Sequence, residues 1–173
     1  MLGVMTVLLV MVTQIIMLSY DTYYKQVARA NIDANAILAS RAISESARGA
    51  LSVLATHTIN GTSYSSDGSE LVLQLPAVDA SGNIIGGEYD YVAIYRDGTE
   101  TEKIFSDIEA AATSYRFSGQ KLITDHNEAL IFRYDHPDYQ QATRISILLR
   151  NSQIVRQSDI LTETWSSIFI RNR

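Results

Sequence analysis

The first twenty residues, MLGVMTVLLVMVTQIIMLSY, carry no charged side chain, and only Thr6, Thr13, Gln14 and Ser19 interrupt the apolar run before Asp21. Twenty helical residues at about 1.5 Å each match the roughly 30 Å hydrocarbon core of a bilayer. Three environments could accept such a segment. A core helix of this length would keep one polar face, and none is visible. A cleaved secretory signal would show a basic start and a small-x-small site close behind the run, yet the nearest such pattern, Ala28-Arg29-Ala30, lies beyond Lys25. Residues 1–20 therefore read as a transmembrane helix.

The helix is expected to run on. From Asp21 to about His57 there is no proline and a single glycine, Gly49. Val27, Ala30, Ala34, Ile37 and Leu38, then Ala47, Ala50, Leu51 and Leu54, recur at three- and four-residue steps, while Lys25, Arg29, Asp33, Arg41, Glu45 and Arg48 fall mostly elsewhere. This predicts an amphipathic continuation over 21–57, packed on a domain from about Ala34 to Leu54 and projecting from it before that. A helix of about 57 residues would be near 85 Å long.

Beyond it, short apolar runs alternate with turn residues, as strands do. Asn60-Gly61 through Asp67-Gly68 reads as a polar loop. Candidate strands are Glu70–Leu75, Tyr89–Tyr95, Glu102–Phe105, Lys121–Ile123, Leu130–Tyr134, Arg144–Leu149 and Trp165–Arg171, with Asp97-Gly98 marking a tight hairpin. No repeat or linker divides the region. The fold class is α+β: a long N-terminal helix covering an antiparallel β-sheet built from residues 58–173.

Composition narrows the chemistry. A net charge of -5 offers no basic footprint for nucleic acid, and zero cysteines exclude disulfides, thiolate metal sites and cysteine nucleophiles. His57, His126 and His136 share no helix face with ligand spacing and read as solvated loop histidines. No nucleophile elbow, phosphate loop or dinucleotide fingerprint occurs, so the chain is not expected to be an enzyme. Asp79, Ser81, Asn83 and Asp90 stand at positions 1, 3, 5 and 12 of a calcium-type loop. Ile84 occupies the glycine position, however, and Asp replaces the terminal Glu, so the expected cofactor set is empty. Tyr89, Tyr91 and Tyr95 share one strand parity, which suits half-buried sheet packing better than stacking on bases.

The combination of these elements resembles type IV pilins and type II secretion pseudopilins. Met1-Leu2-Gly3-Val4-Met5-Thr6-Val7-Leu8-Leu9-Val10 is similar to the run after the Phe-Thr-Leu-x-Glu start of mature pilins, and Ile168-Phe169-Ile170-Arg171-Asn172-Arg173 to the Val-x-Leu-Arg-Asn ending of many minor pilin-like proteins. Tyr89–Arg96 and Leu130–Tyr134 resemble strands of J-type minor pseudopilins. The family's basic leader and its early glutamate have no counterpart, the first Glu being Glu45. Under the resemblance, either Met1 is an internal methionine just downstream of that glutamate, which the register of the apolar run favours, or the chain is a divergent subunit that manages without it.

The resemblance implies a structural subunit, held in the inner membrane by a single span with its globular part extracytoplasmic, that assembles through its N-terminal helix into a pilus, secretion filament or filament tip. Its packing surface would be Leu2, Val4, Val7, Leu8, Val10, Ile15, Ile16 and Leu18. Its partners would be other pilin-like subunits, the inner-membrane assembly machinery and prepilin peptidase acting on an upstream leader, with the membrane as store and no nucleic acid. The rival expectation is a single-pass protein whose extracytoplasmic domain binds a ligand or protein and never polymerises.

Overall fold

A computed structural model of the chain describes residues 2–156 and 158–170. Helix α1 covers Leu2–Arg48 without a break. It ends where Gly49 removes the side chain that would favour another turn, with the last bonds tightening from Gly49 N to Glu45 O (3.2 Å) and Ala50 N to Ala47 O (3.2 Å). Arg48 in that last turn complements the helix dipole. The expected continuation to His57 is therefore too long by nine residues, because the chain past Gly49 turns into strand β1 (Ser52–Val53).

Ala47 and Ala50 are buried as expected, but before them the docked face of α1 differs from the expected one. Ala28, Ile32, Ala36, Ala39, Ile43 and Ala47 are buried, whereas Val27, Ala30, Ala34, Ile37 and Leu38 are exposed, Ile37 and Leu38 at 62% and 63%. The two stripes are offset by one or two residues. Helical spacing fits both, and the small one wins because Ala and Ser let the backbone come close to the sheet. Ser40 and Ser44 complete that stripe, and Ser40 Oγ donates to Ser166 Oγ at 3.4 Å.

The strands are β2 (Thr56–Ile59), β3 (Thr62–Ser65), β4 (Glu70–Val78), β5 (Ile84–Arg96), β6 (Ile104–Glu109), β7 (Gly119–Thr124), β8 (Asn127–Tyr134), β9 (Arg144–Val155) and β10 (Ser158–Phe169). They form not one meander but a five-stranded sheet of order β1-β4-β5-β6-β7, a three-stranded sheet β10-β9-β8 and the separate hairpin β2-β3, all antiparallel. Phe132 N of β8 donates to Gly68 O just before β4 (2.9 Å), which links the two larger sheets. The main core lies between these sheets and α1, with Ile43, Leu73, Ile94, Phe132, Ile147 and Leu149 all buried in it.

A second, smaller core occupies the opposite face of the five-stranded sheet. Ile59 and Tyr64 from the β2-β3 hairpin close over Val72 and Ala93, with Tyr91 and Tyr95 packed at its side. This explains why Leu71, Val72 and Leu73 are all buried in β4, which has protein on both faces. It also corrects the expected polar loop at Asn60–Gly68. Asn60 and Gly61 take φ of 48° and 85°, the doubly left-handed pair of a two-residue hairpin turn. Asp97-Gly98, by contrast, belongs to a longer loop in which Asp97 N donates to Lys103 O at 2.9 Å.

Acidic side chains pin several turns. Asp135, between β8 and β9, accepts from Thr143 Oγ1 (2.6 Å), Thr143 N (3.0 Å) and Arg144 N (3.1 Å). The Thr143 hydroxyl, followed by these backbone N–H groups, holds its carboxyl below the usual carboxylate range despite partial desolvation. The N–H groups of Glu100 and Thr99 do the same for Asp97.

Two outcomes follow from this packing. Ile32→Ala and Ile43→Ala should each destabilise the domain by about 2–5 kcal/mol, whereas Ile37→Ser and Leu38→Ser should stay within about 0.5 kcal/mol, as read by denaturant unfolding in detergent. Equal effects at the two stripes would mean that the docked face is misassigned. For Asp135, the folded pKa lies below the unfolded one, so its contribution is complete above about pH 4 and lost as pH falls through the lower folded value. Asp135→Asn should lower stability at pH 7 and reduce the slope of stability against pH below about 4.

Candidate functional site

Among the described residues, the longest run of exposed apolar side chains is the first half of α1. An 18-residue window of the helix contains no buried residue and is long and apolar enough to cross a membrane. Its polar groups turn inward where they can: Thr13 Oγ1 donates to Leu9 O (2.8 Å), as Thr22 Oγ1 does to Leu18 O (2.9 Å). A hydroxyl bonded to its own helix in this way does not leave an unpaired donor facing lipid.

Of the eight residues expected to form the packing surface, Val4, Val7, Leu8, Val10, Ile15, Ile16 and Leu18 are all exposed, and Leu2 lies in the helix. Exposure does not set them apart, because Met5, Leu9, Met11, Val12 and Met17 are equally bare. The apolar surface runs around the whole circumference. At its upper end stand Tyr20, Tyr23 and Tyr24, all exposed, beside the ion pair Lys25–Asp21 at 2.7 Å.

A second feature is a cleft of about 640 Å³ between the β2-β3 hairpin and the rims of β5 and β7, lined by Asn60, Tyr64, Glu70, Tyr95, Arg96, Asp107 and Gln120 among others. Its floor is a closed network. Asp107, buried in β6, accepts from Asn60 Nδ2 (2.7 Å) and from Tyr64 OH (3.1 Å), while Gln120 Nε2 donates to Tyr95 OH. Burial first, then the neighbouring Tyr95 and Asp107, push the Tyr64 hydroxyl far above its ordinary range, so it stays a neutral donor at any physiological pH. Tyrosine rings beside amide and carboxylate groups suit recognition of a polar surface more than proton transfer.

The calcium-type set is not brought together. Asp79 closes its own turn, accepting from Ser81 N (2.8 Å) and Asn83 N (2.9 Å), and those bonds, led by Asn83, lower its pKa. Asp90 is fully buried and serves a different purpose: it accepts from Ala111 N (2.8 Å), Ser114 Oγ (2.8 Å) and Arg116 Nη1. Arg116 also donates to Pro76 O (2.6 Å), and Tyr115 N donates to Val78 O (2.7 Å). The segment between β6 and β7 is thereby strapped to the sheet, with Tyr115 and Phe117 exposed upon it. Among the described residues, no group of three or more His, Asp or Glu side chains could hold a metal ion.

Nor is His57 a loop residue. It lies in β2 with its ring stacked on Tyr91, centroids 3.7 Å apart. His126 contacts Asp125, and His136 accepts from Asp138 N at 3.0 Å; both are loop positions, as expected. The Asp90–Arg116 pair, separated by 26 residues, carried no local sequence signal.

Comparison with protein-family models, with curated proteins and with solved structures finds no match for this chain. The fold is thus defined by its own geometry: an α+β protein with one long, apolar-ended N-terminal helix and antiparallel sheets. That helix is weakly consistent with a single-pass membrane anchor.

Arg116→Met should destabilise the domain by about 3 kcal/mol, since it leaves the Asp90 carboxylate buried without its cation. Adding Asp90→Asn should recover part of that loss in a double-mutant cycle. Simple additivity of the two changes would show that the pair does not act as a unit.

Proposed function

We propose that the chain is a membrane-anchored, pilin-like or pseudopilin structural subunit that assembles through its N-terminal helix into a type IV pilus or a type II secretion filament or tip. The observation that carries this reading is the unbroken helix α1, bare and apolar around its first half and docked by a small-residue stripe in its second. A helix without charge is stable in lipid and equally stable among like helices, so one segment can serve as anchor and as assembly core. The rest of the domain then hangs rigidly from the part that polymerises. Under this reading the globular part is extracytoplasmic, the span lies in the inner membrane, and the partners are other pilin-like subunits, the assembly machinery and prepilin peptidase acting on an upstream leader.

A second reading is favoured by one specific feature, the tyrosine-lined cleft over Asp107. In it the chain is a single-pass, extracytoplasmic binding protein that does not polymerise. The chain has no cysteine, so pairs introduced as Leu8→Cys and Ile16→Cys report only on helix neighbours. Oxidation in native membranes should give a ladder of cross-linked species if the helices assemble, and monomers alone if the second reading is right. Leu8→Asp, which costs on the order of 2.5–3.5 kcal/mol at mid-span, should remove the chain from membranes and from any ladder while the thermal melt of the sheets is unchanged.

A further inference from the structure

Strand β10 runs alongside α1, with its start nearest the apolar half of the helix. Ser166 meets Ser40, Thr162 Oγ1 donates to Asp33 Oδ1, and at the far end of the β9-β10 hairpin Arg156 reaches Asp21 and Tyr24. The Arg156 guanidinium lies 4.6 Å from the centre of the Tyr24 ring and 3.8 Å from Asp21 Oδ1. If residues 3–20 span the bilayer, the midplane falls near Met11 and Val12. Asp21 and Tyr24 then stand about 14 and 19 Å above it along the helix axis, at about 1.5 Å per residue. The hydrocarbon ends at about 15 Å from the midplane and the polar layer at about 20–22 Å. The hairpin end is therefore level with the headgroups.

Its composition fits that level. Ile154, one residue pair from the end of the hairpin, is 78% exposed, and the helix beside it displays Tyr20, Tyr23 and Tyr24. Exposed tyrosines, an isolated bare isoleucine and long cations are the side chains that favour a bilayer interface. Beside them, a groove of about 430 Å³ between α1 and the start of β10 is lined by Lys25, Arg29, Ser158 and Leu161 among others. Asp21 offsets Lys25 and Arg156, and Asp159 is exposed opposite Ile154. The local charge is thus close to balanced, and the attraction rests on apolar and aromatic insertion.

We propose that the Ile154–Arg156 end of the β9-β10 hairpin rests in the phospholipid headgroup layer as a second membrane contact, fixing the tilt and rotation of the domain above its anchor. The inference depends on the anchor reading and goes beyond it, since a span alone leaves the domain free of the surface.

The test uses the full chain in phosphatidylcholine vesicles, with and without lipids brominated near the top of the acyl chains, to read the hairpin, or near their ends, to read the midplane, and Trp165→Phe as background because Trp165 is the sole tryptophan. Single reporters are introduced as Ile154→Trp, as Val12→Trp within the span, and as Glu45→Trp, about 36 Å further along the helix than Asp21. The expected result is that brominated lipid at least halves the emission of Ile154→Trp and quenches Val12→Trp, while Glu45→Trp is unaffected. If Val12→Trp is quenched and Ile154→Trp is not, the hairpin contact is refuted while the anchor stands. Shielding of Ile154→Trp from iodide without bromine quenching would assign the surface to a protein neighbour and equally overturn the proposal. Absence of quenching at Val12→Trp would remove the anchor itself, and the hairpin contact with it.

Discussion

Everything in this molecule depends on the close approach between the second half of α1 and the sheets. The alanines and serines on that face have almost no side-chain entropy to lose and bring the helix axis near the strands. The larger Ile32 and Ile43 then fill the spaces between sheet side chains. Because α1 has no proline and no break between Leu2 and Arg48, this packing fixes the direction of the bare half as well. Apolar surface alone would not do so, since a hinged anchor could carry the same residues without orienting the domain.

The opposite face of the five-stranded sheet needs its own cover, and the β2-β3 hairpin provides it at small cost in chain length. Its four-residue strands bury Ile59 and Tyr64, and leave Thr56, Thr58, Ser63 and Ser65 to solvent. Asn60 is used twice, as the left-handed turn residue and as the donor that reaches Asp107. The cleft and the small core are thus one construction: the turn that closes the hairpin also positions the polar floor beneath it.

The charge-free run was legible at once because no arrangement of a soluble core leaves twenty such residues without a polar face. Strand positions from Glu70 onward were largely visible for a similar reason, since alternation or a short apolar run reports burial on one face or two. The buried stripe of α1 was not. Ile37 and Leu38 look like core by size, and only the sheet's proximity makes Ala36 and Ala39 the better fit. The hairpin was hidden because its strands are mostly Thr and Ser, so the Asn-Gly turn had only Ile59 and Tyr64 as apolar flanks and no alternating run on either side. Asp90 was read with its sequence neighbours, but its partner lies 26 residues away, and a pair of that kind leaves no periodicity to find.

Edge strands make the same point about what burial can and cannot decide. Strand β10 is twelve residues long and has a neighbour on one side only, an arrangement that invites pairing with another chain. Its outward face carries Leu161, Trp165 and Phe169 at intervals of four, separated by Glu163 and Ser167 and preceded by Asp159. Glu163 is bonded to Arg150 of the neighbouring strand, which places an ion pair between the rows of Leu161 and Trp165. That interruption keeps the exposed apolar residues from merging into a flat, continuous strip, while the inward face is held by α1 through Ile168, Ser166 and Thr162. The strand is therefore committed on its inner face and broken up by charge on its outer one. Among the described residues, the uninterrupted apolar surface is left on the first half of the helix.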